Sequence, residues 1–408
     1  YWGLGYDFRS LLGLCVVLSL SFYPIVYLIA RLAFAGQGAR SIEMARSLGQ
    51  RPSGILLKVS LPLATPWIIG AVLIVAMEVM SEFAAAQSYQ TTTLATLIFD
   101  AFFQFGAYNS AARLAAILVV VFLAMLLIDR MSGSRKSFSL LSGSGWLEQT
   151  LPTSPGKKAV ITGFCWLVFL LAVVVPIGIL VTEVLGDGGR TAVRQSIESG
   201  IFSFLTASAA AIAVVLLASS TALLERLRPY LLPQTLNVVI GLGFAIPGMV
   251  LAVVAFAPLQ EILQTSTSTG GILLLTAGGL VVAYTIRFLA PGSFVIQSEV
   301  RRIPKPLDDA ARVIGKSPSK LMWQIHTPLL RKSFIVAATL TFLEVLKELP
   351  LALVLRPFNF QPLTVQIFEN FRLGNNSAGA LPALLLLVMG LITILLASLV
   401  WIGREDRR

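Results

Sequence analysis

Glu43-Met44-Ala45-Arg46-Ser47-Leu48-Gly49, running on to Val59-Ser60-Leu61-Pro62, returns 266 residues later as Asp309-Ala310-Ala311-Arg312-Val313-Ile314-Gly315, running on to Ile325-His326-Thr327-Pro328. Over the ungapped windows 43–63 and 309–329, seven of 21 positions are identical, Ala45, Arg46, Gly49 and Pro62 among them. Both copies are polar islands between long apolar runs. A duplicated polar segment between membrane helices implies two matching contacts with something on one side of the membrane.

The rest of the chain supports that setting. Of 408 residues, 56% are hydrophobic and 12% charged, and the mean hydropathy is +0.84, values that exclude an ordinary soluble domain. Nine apolar runs of membrane-spanning length are read at about 10–34, 66–88, 111–128, 159–182, 201–224, 237–258, 272–298, 334–356 and 379–402. The expected fold is all-α, a polytopic transmembrane helix bundle.

The formal charge of +11 follows topology. Loops 35–65, 129–158, 225–236 and 299–333 and the tail 403–408 share one side and hold 22 of the 31 Lys and Arg residues, against five on the other. The positive-inside rule makes the richer side cytoplasmic, with both repeats and the C-terminus there; nucleic acid is not an expected partner. Cys15 and Cys165 fall inside apolar runs and read as packing residues. His326, the single histidine, excludes a histidine-rich metal site in this chain.

The repeat extends into the following helix, where Glu78-Val79-Met80-Ser81-Glu82-Phe83 matches Glu344-Val345-Leu346-Lys347-Glu348-Leu349. Six apolar runs lie between the copies, an even number, so the two halves are parallel and related by a pseudo-twofold axis along the membrane normal. The expected division is a first half over 1–130 with three helices, a Ser-, Gly- and Lys-rich linker over 131–158, and a second half over 159–408 with six. That inequality predicts about three further helices encoded upstream of Tyr1. The external loop 258–271, ending in a Thr/Ser/Gly run, is expected to be irregular.

Each copy is expected to form a helix of about two turns. Ser41 suits an N-cap and Glu43 the opening turn; in the second copy Pro306 lies near the start, with Asp308 and Asp309 in the first turn. Gly49 and Gly315 are placed for left-handed C-caps. Pro52-Ser53 and Pro318-Ser319 then begin a second helical stretch toward Pro62 and Pro328. Helices this short need a tertiary partner.

The pattern Glu/Asp-x-Ala-x-x-x-Gly, followed by nine residues, an aliphatic and then Pro three further on, resembles the EAA motif of permeases in binding-protein-dependent ABC importers. Asp309 for Glu, Met44 for Ala and Thr327 for Leu are mild departures. The resemblance implies that Glu43, Ala45, Arg46, Gly49 and Pro62, with Asp309, Ala310, Ala311, Arg312, Gly315 and Pro328, belong to coupling loops that dock into two copies of an ATPase subunit. It also implies an extracytoplasmic substrate-binding protein, a bacterial inner-membrane location, and ATP with magnesium held by the ATPase. Gly315-Lys316-Ser317 looks like the end of a P-loop, but Ala310 stands where its leading glycine belongs and no strand precedes it, so no cofactor is assigned to this chain.

Lys347-Glu348-Leu349-Pro350, with Leu355-Arg356-Pro357-Phe358-Asn359-Phe360 and Leu363-Thr364, is similar to fused ferric-iron permeases. Relatives of that kind handling thiamine or aminoethylphosphonate are the alternative; a secondary transporter driven by an ion gradient is the alternative of another class, against which the paired loops count. Glu78 and Glu82, like Glu344 and Glu348, are spaced to share a helix face. Membrane carboxylates line a pathway or pair with a cation, and oxygen ligands suit hard cations. Two readings therefore stand for Glu78, Glu82, Glu344, Lys347 and Glu348: a substrate pathway, or structural pairs such as Lys347 with Glu344 and Glu78 with Arg31 or Arg113. No metal ligand is firmly assigned.

Overall fold

A computed structural model describes residues 10–36, 39–131, 154–186, 193–227, 236, 239–241, 243, 244, 246–265, 269–358 and 360–402. Most of the expected linker and the C-terminal tail lie outside these. The described residues are helical throughout, with no strand among them. They fall into two units, Tyr1–Gly178 and Ile179–Arg408. Seven helices are long and apolar enough to cross a membrane, making this a multi-pass membrane protein.

In the first unit, Leu11–Ala35 packs on Leu61–Ser81 around Ala33, Ala64 and Trp67. Small residues at that contact bring the backbones close. Leu94–Phe99 packs on Tyr108–Met131; Phe102 packs on Tyr108, centroids 5.2 Å apart, and Phe83 packs on Phe99 at 4.5 Å.

In the second unit, Val193–Leu227, Thr269–Arg302 and Thr327–Lys347 form a mutually packed trio. Ala207, Ala210, Ala283 and Ala337 are buried along it, and Gly292 lies so close to Val214 that a Cβ there would overlap that side chain. Polar side chains join elements at one end: Ser203 Oγ accepts from the Leu363 N–H at 2.8 Å, and Gln366 donates to Ser196 at 3.2 Å.

The sequence repeat is a structural repeat at the same 266-residue offset. Ala39–Ser47 matches Lys305–Val313, Pro52–Ile55 matches Pro318–Leu321, and Leu61–Ser81 matches Thr327–Lys347. Even the π-turns match, Leu56–Ser60 and Met322–His326. Their cause is local. Pro62 and Pro328, each two residues past its π-turn, lack the N–H that would bond back one α-turn, and their rings crowd the carbonyl four residues earlier. The chain widens instead, and the Leu61 N–H reaches the Leu56 carbonyl. A third π-turn, Leu170–Val174, stands in the same relation to Pro176.

Several expectations need correction. The runs 66–88 and 334–356 are not single helices: the first ends at Ser81 and resumes as Ala84–Ser88, the second ends at Lys347 and resumes as Pro350–Leu355. The expected loop 258–271 is helical to Thr265 and again from Thr269; apolar residues through Leu263 carry the helix past its anticipated end. The front of the run 237–258 lies partly outside the described residues, and its helix begins at Gly248. Cys15 and Cys165 are exposed on their helices rather than packed.

Candidate functional site: the paired docking helices

Both short helices stop as expected. Gly49 has φ +75° and Gly315 φ +76°, the left-handed region glycine enters without steric cost. In the first, the Gly49 N–H donates to the Arg46 carbonyl (2.9 Å) and the Gln50 N–H to the Ala45 carbonyl (3.1 Å); in the second, Gly315 donates to Arg312 (2.9 Å) and Lys316 to Ala311 (3.1 Å). These two bonds make a Schellman cap, repeated to within a tenth of an ångström.

Their starts differ from expectation. The first helix begins at Ala39, so Ser41 is inside it rather than its cap, and Glu43 falls beyond the opening turn. Basic residues need no acidic first turn to be helical once the helix packs. In the second, Pro306 and Asp308 lie in the first turn and Asp309 follows it.

The motif residues divide by face. Ala45 and Ala311 are buried, where only a small side chain fits. Glu43, Arg46, Asp309, Ala310 and Arg312 are exposed, and Arg312 is only loosely held by Asp309, at 3.9 Å. Beside the caps, Leu48 is 80% exposed and its counterpart Ile314 71%. Each helix thus presents a small outward surface with a bare aliphatic at its end and an exposed arginine two residues before it. Pro62 and Pro328 set the π-turns that connect these helices to the long ones.

The second docking helix is also bonded to its surroundings by a buried charge cluster that the sequence reading missed. Asp308, 7% exposed, accepts from Arg226 Nε at 2.6 Å and stands 3.1 Å, through Oδ1, from His326 Nε2. Arg226 also donates to the carbonyls of Val300 (2.7 Å), Ile303 (3.1 Å) and Pro304 (3.3 Å). His326, 2% exposed, has its pKa held below the usual histidine value by burial first, with Arg226 adding to this and Asp308 opposing it. The signal available was a lone histidine and an extra aspartate beside the motif; the 82 residues between Arg226 and Asp308 hid their relation.

The membrane carboxylates are not arranged as expected. Glu82 and Glu348 do not share a helix face with Glu78 and Glu344, because each follows the last helical residue in extended conformation. Their side chains turn forward onto the next short helix: Glu82 accepts from the Ala85 N–H at 3.1 Å, and the matching Leu351 N–H faces the Glu348 carboxylate. A carboxylate at a helix start bonds otherwise unsatisfied N–H groups. Glu348 is also buried against Arg287, whose Nε lies 3.2 Å away and which donates to the Ile246 carbonyl at 2.8 Å. Lys347 pairs with Glu344 at 2.9 Å, as its spacing suggested. In the stretch after Pro350, Arg356 pairs with Glu369 at 2.8 Å, Phe360 packs on Phe202 with centroids 4.9 Å apart, and Phe358 is fully exposed; Asn359 lies outside the described residues.

Comparison with known proteins agrees with this geometry. Residues 223–403, which contain the second docking helix and the helices around it, match the family described as binding-protein-dependent transport system inner membrane component. The chain is similar, at 24% identity over 94% of its length and 75% of the relative's, to a protein named Fe(3+)-transport system permease protein FbpB 2 from Haemophilus influenzae. It is 24% identical to a probable ABC transporter permease protein, y4fN, from Sinorhizobium fredii, over 93% of this chain and 70% of that one. A ferric transport system permease protein, FbpB, from Actinobacillus pleuropneumoniae is 23% identical over 97% of this chain, which spans 59% of it. Residues 223–403 thus resemble the inner-membrane components of binding-protein-dependent transport systems, and the chain as a whole is similar to permeases.

Proposed function

We propose that this permease carries ferric iron, delivered by an extracytoplasmic binding protein, and that two copies of an ATPase subunit each engage one of its docking helices. The observation that carries the coupling is the duplicate itself: two helices with the same bounds, cap and following π-turn, each exposing an aliphatic and an arginine. The iron reading is supported by the names of two relatives and by carboxylates within the membrane region. ATP and magnesium belong to the separate ATPase, and this chain is a permease rather than an enzyme. The distribution of Lys and Arg supports a cytoplasmic C-terminus.

Of the carboxylates, Glu82 best suits a place on the substrate path. It is half-buried and has no ion pair among the described residues, whereas Glu348 and Glu344 are already paired. The test is ATP hydrolysis by the full-length complex reconstituted with ATPase and binding protein. Stimulation by ferric-loaded binding protein, and not by thiamine- or phosphonate-loaded forms, is expected; the reverse pattern rejects iron.

A further inference from the structure

The two docking helices share backbone geometry but differ at two positions beside it. Where the second has Asp308 and His326, the first has Ile42 and Ser60 at the same 266-residue offset. Ile42 carries no ionisable group, so the first copy cannot make the charge-assisted connection that Asp308 makes. In the second unit that connection joins the last turn of Val193–Leu227, through Arg226, to the chain leaving Thr269–Arg302, through the Val300, Ile303 and Pro304 carbonyls, with the His326 ring of the π-turn 3.1 Å from Asp308.

We propose that Asp308 is a positioning residue for coupling: it fixes the second docking helix to the ends of two long helices. This rests on the permease reading above. A guanidinium that holds one carboxylate and three carbonyls is a stiff joint, because its planar fork is already organised and the bonds are charge-assisted. Displacement of the second docking helix then moves the Arg226 end of its partner helix directly. The cluster does not face outward, so it does not itself touch the ATPase; it acts through the orientation of Asp309, Arg312 and Ile314.

The experiment compares full-length complexes, reconstituted with ATPase and ferric-loaded binding protein, for the ratio of stimulated to basal ATP hydrolysis. Asp308→Asn keeps the size and removes the charge; it is expected to lower that ratio by about tenfold, within the usual range of coupling between sites. An assembled Asp308→Asn complex with the wild-type ratio overturns the proposal. Should Asp308→Asn fail to assemble, His326→Gln and Arg226→Lys decide: a lowered ratio in both supports the joint, and a wild-type ratio in both overturns it. Absence of stimulation in the wild-type complex overturns this inference and the permease reading together, whereas a stimulated wild type with an equally stimulated Asp308→Asn overturns this inference alone.

Discussion

Glu82 and Glu348 occupy the same backbone conformation, φ −69°, ψ 114° and φ −74°, ψ 114°, each directly after a 21-residue helix, yet only Glu348 is held by an arginine. Arg287 lies 61 residues before Glu348; the position 61 before Glu82 is Ser21. One copy of a duplicated carboxylate is thus neutralised and buried, and the other is left half-open with a single backbone bond.

That difference predicts unequal substitutions. Glu348→Gln strands the Arg287 charge in a buried site and is expected to cost about 3–5 kcal/mol. Glu82→Gln keeps an acceptor for the Ala85 N–H and removes only the charge, a loss of about 1 kcal/mol or less, while lowering iron transport by the assembled complex. Thermal unfolding of the purified protein checks the first comparison and uptake into vesicles the second. Equal destabilisation contradicts the structural division, and normal iron uptake in Glu82→Gln removes that residue from the pathway.

Gly49 and Gly315 test the docking helices through backbone alone, since an added Cβ at either meets no atom within 4 Å. A β-branched residue at positive φ costs roughly 1–3 kcal/mol, and the cheaper outcome is to lose the Schellman cap. The double variant Gly49→Val, Gly315→Val is expected to insert normally and to lose substrate-stimulated ATP hydrolysis. Undiminished transport would reject the coupling role of both caps.

Leu48 and Ile314 are solvent-facing at the helix ends, so replacing them with Asp should change stability by less than about 0.5 kcal/mol. Recovery of the ATPase in affinity purification is expected to fall sharply, since a charge placed in a desolvated contact is costly. Full recovery with both residues replaced would show that the ATPase binds elsewhere.

His326 gives a pH dependence with a definite sign. Its folded pKa is lowered by burial, so below the ordinary value near 6.5 the unfolded chain binds more protons than the folded one, and stability falls with pH. The contribution is fully present above about pH 6.5 and is lost as pH drops toward the lowered value. Arg226 and Asp308 are the charged groups that face this ring. The loss of melting temperature between pH 7 and pH 5.5 is expected to be smaller in His326→Gln than in wild type; identical profiles would show that another group controls it.

The glycine stops and the duplication were legible because each is written locally. A left-handed cap selects glycine, and a repeat shows as spacing. The break before Glu82 and Glu348 was not, because an extended residue accepts any side chain and the apolar run continues past it. Ser41 misled because it satisfies the capping preference, yet the helix already starts at Ala39. The pairs Arg287 with Glu348 and Arg226 with Asp308 join positions 61 and 82 residues apart, and no local pattern marks which buried arginine meets which acid.

The π-turns at Leu56–Ser60 and Met322–His326 also set an angular phase. A helix advances about 100° per residue, so the extra residue in each turn decides which face of the following stretch looks toward the bundle. Deleting one residue inside either turn would rotate everything before it by that angle relative to the long helix. Ala45 or Ala311 would then leave its small-residue niche, and the arginine one position later would be carried round with it. Coupling should therefore be intolerant of a single-residue deletion at these two places.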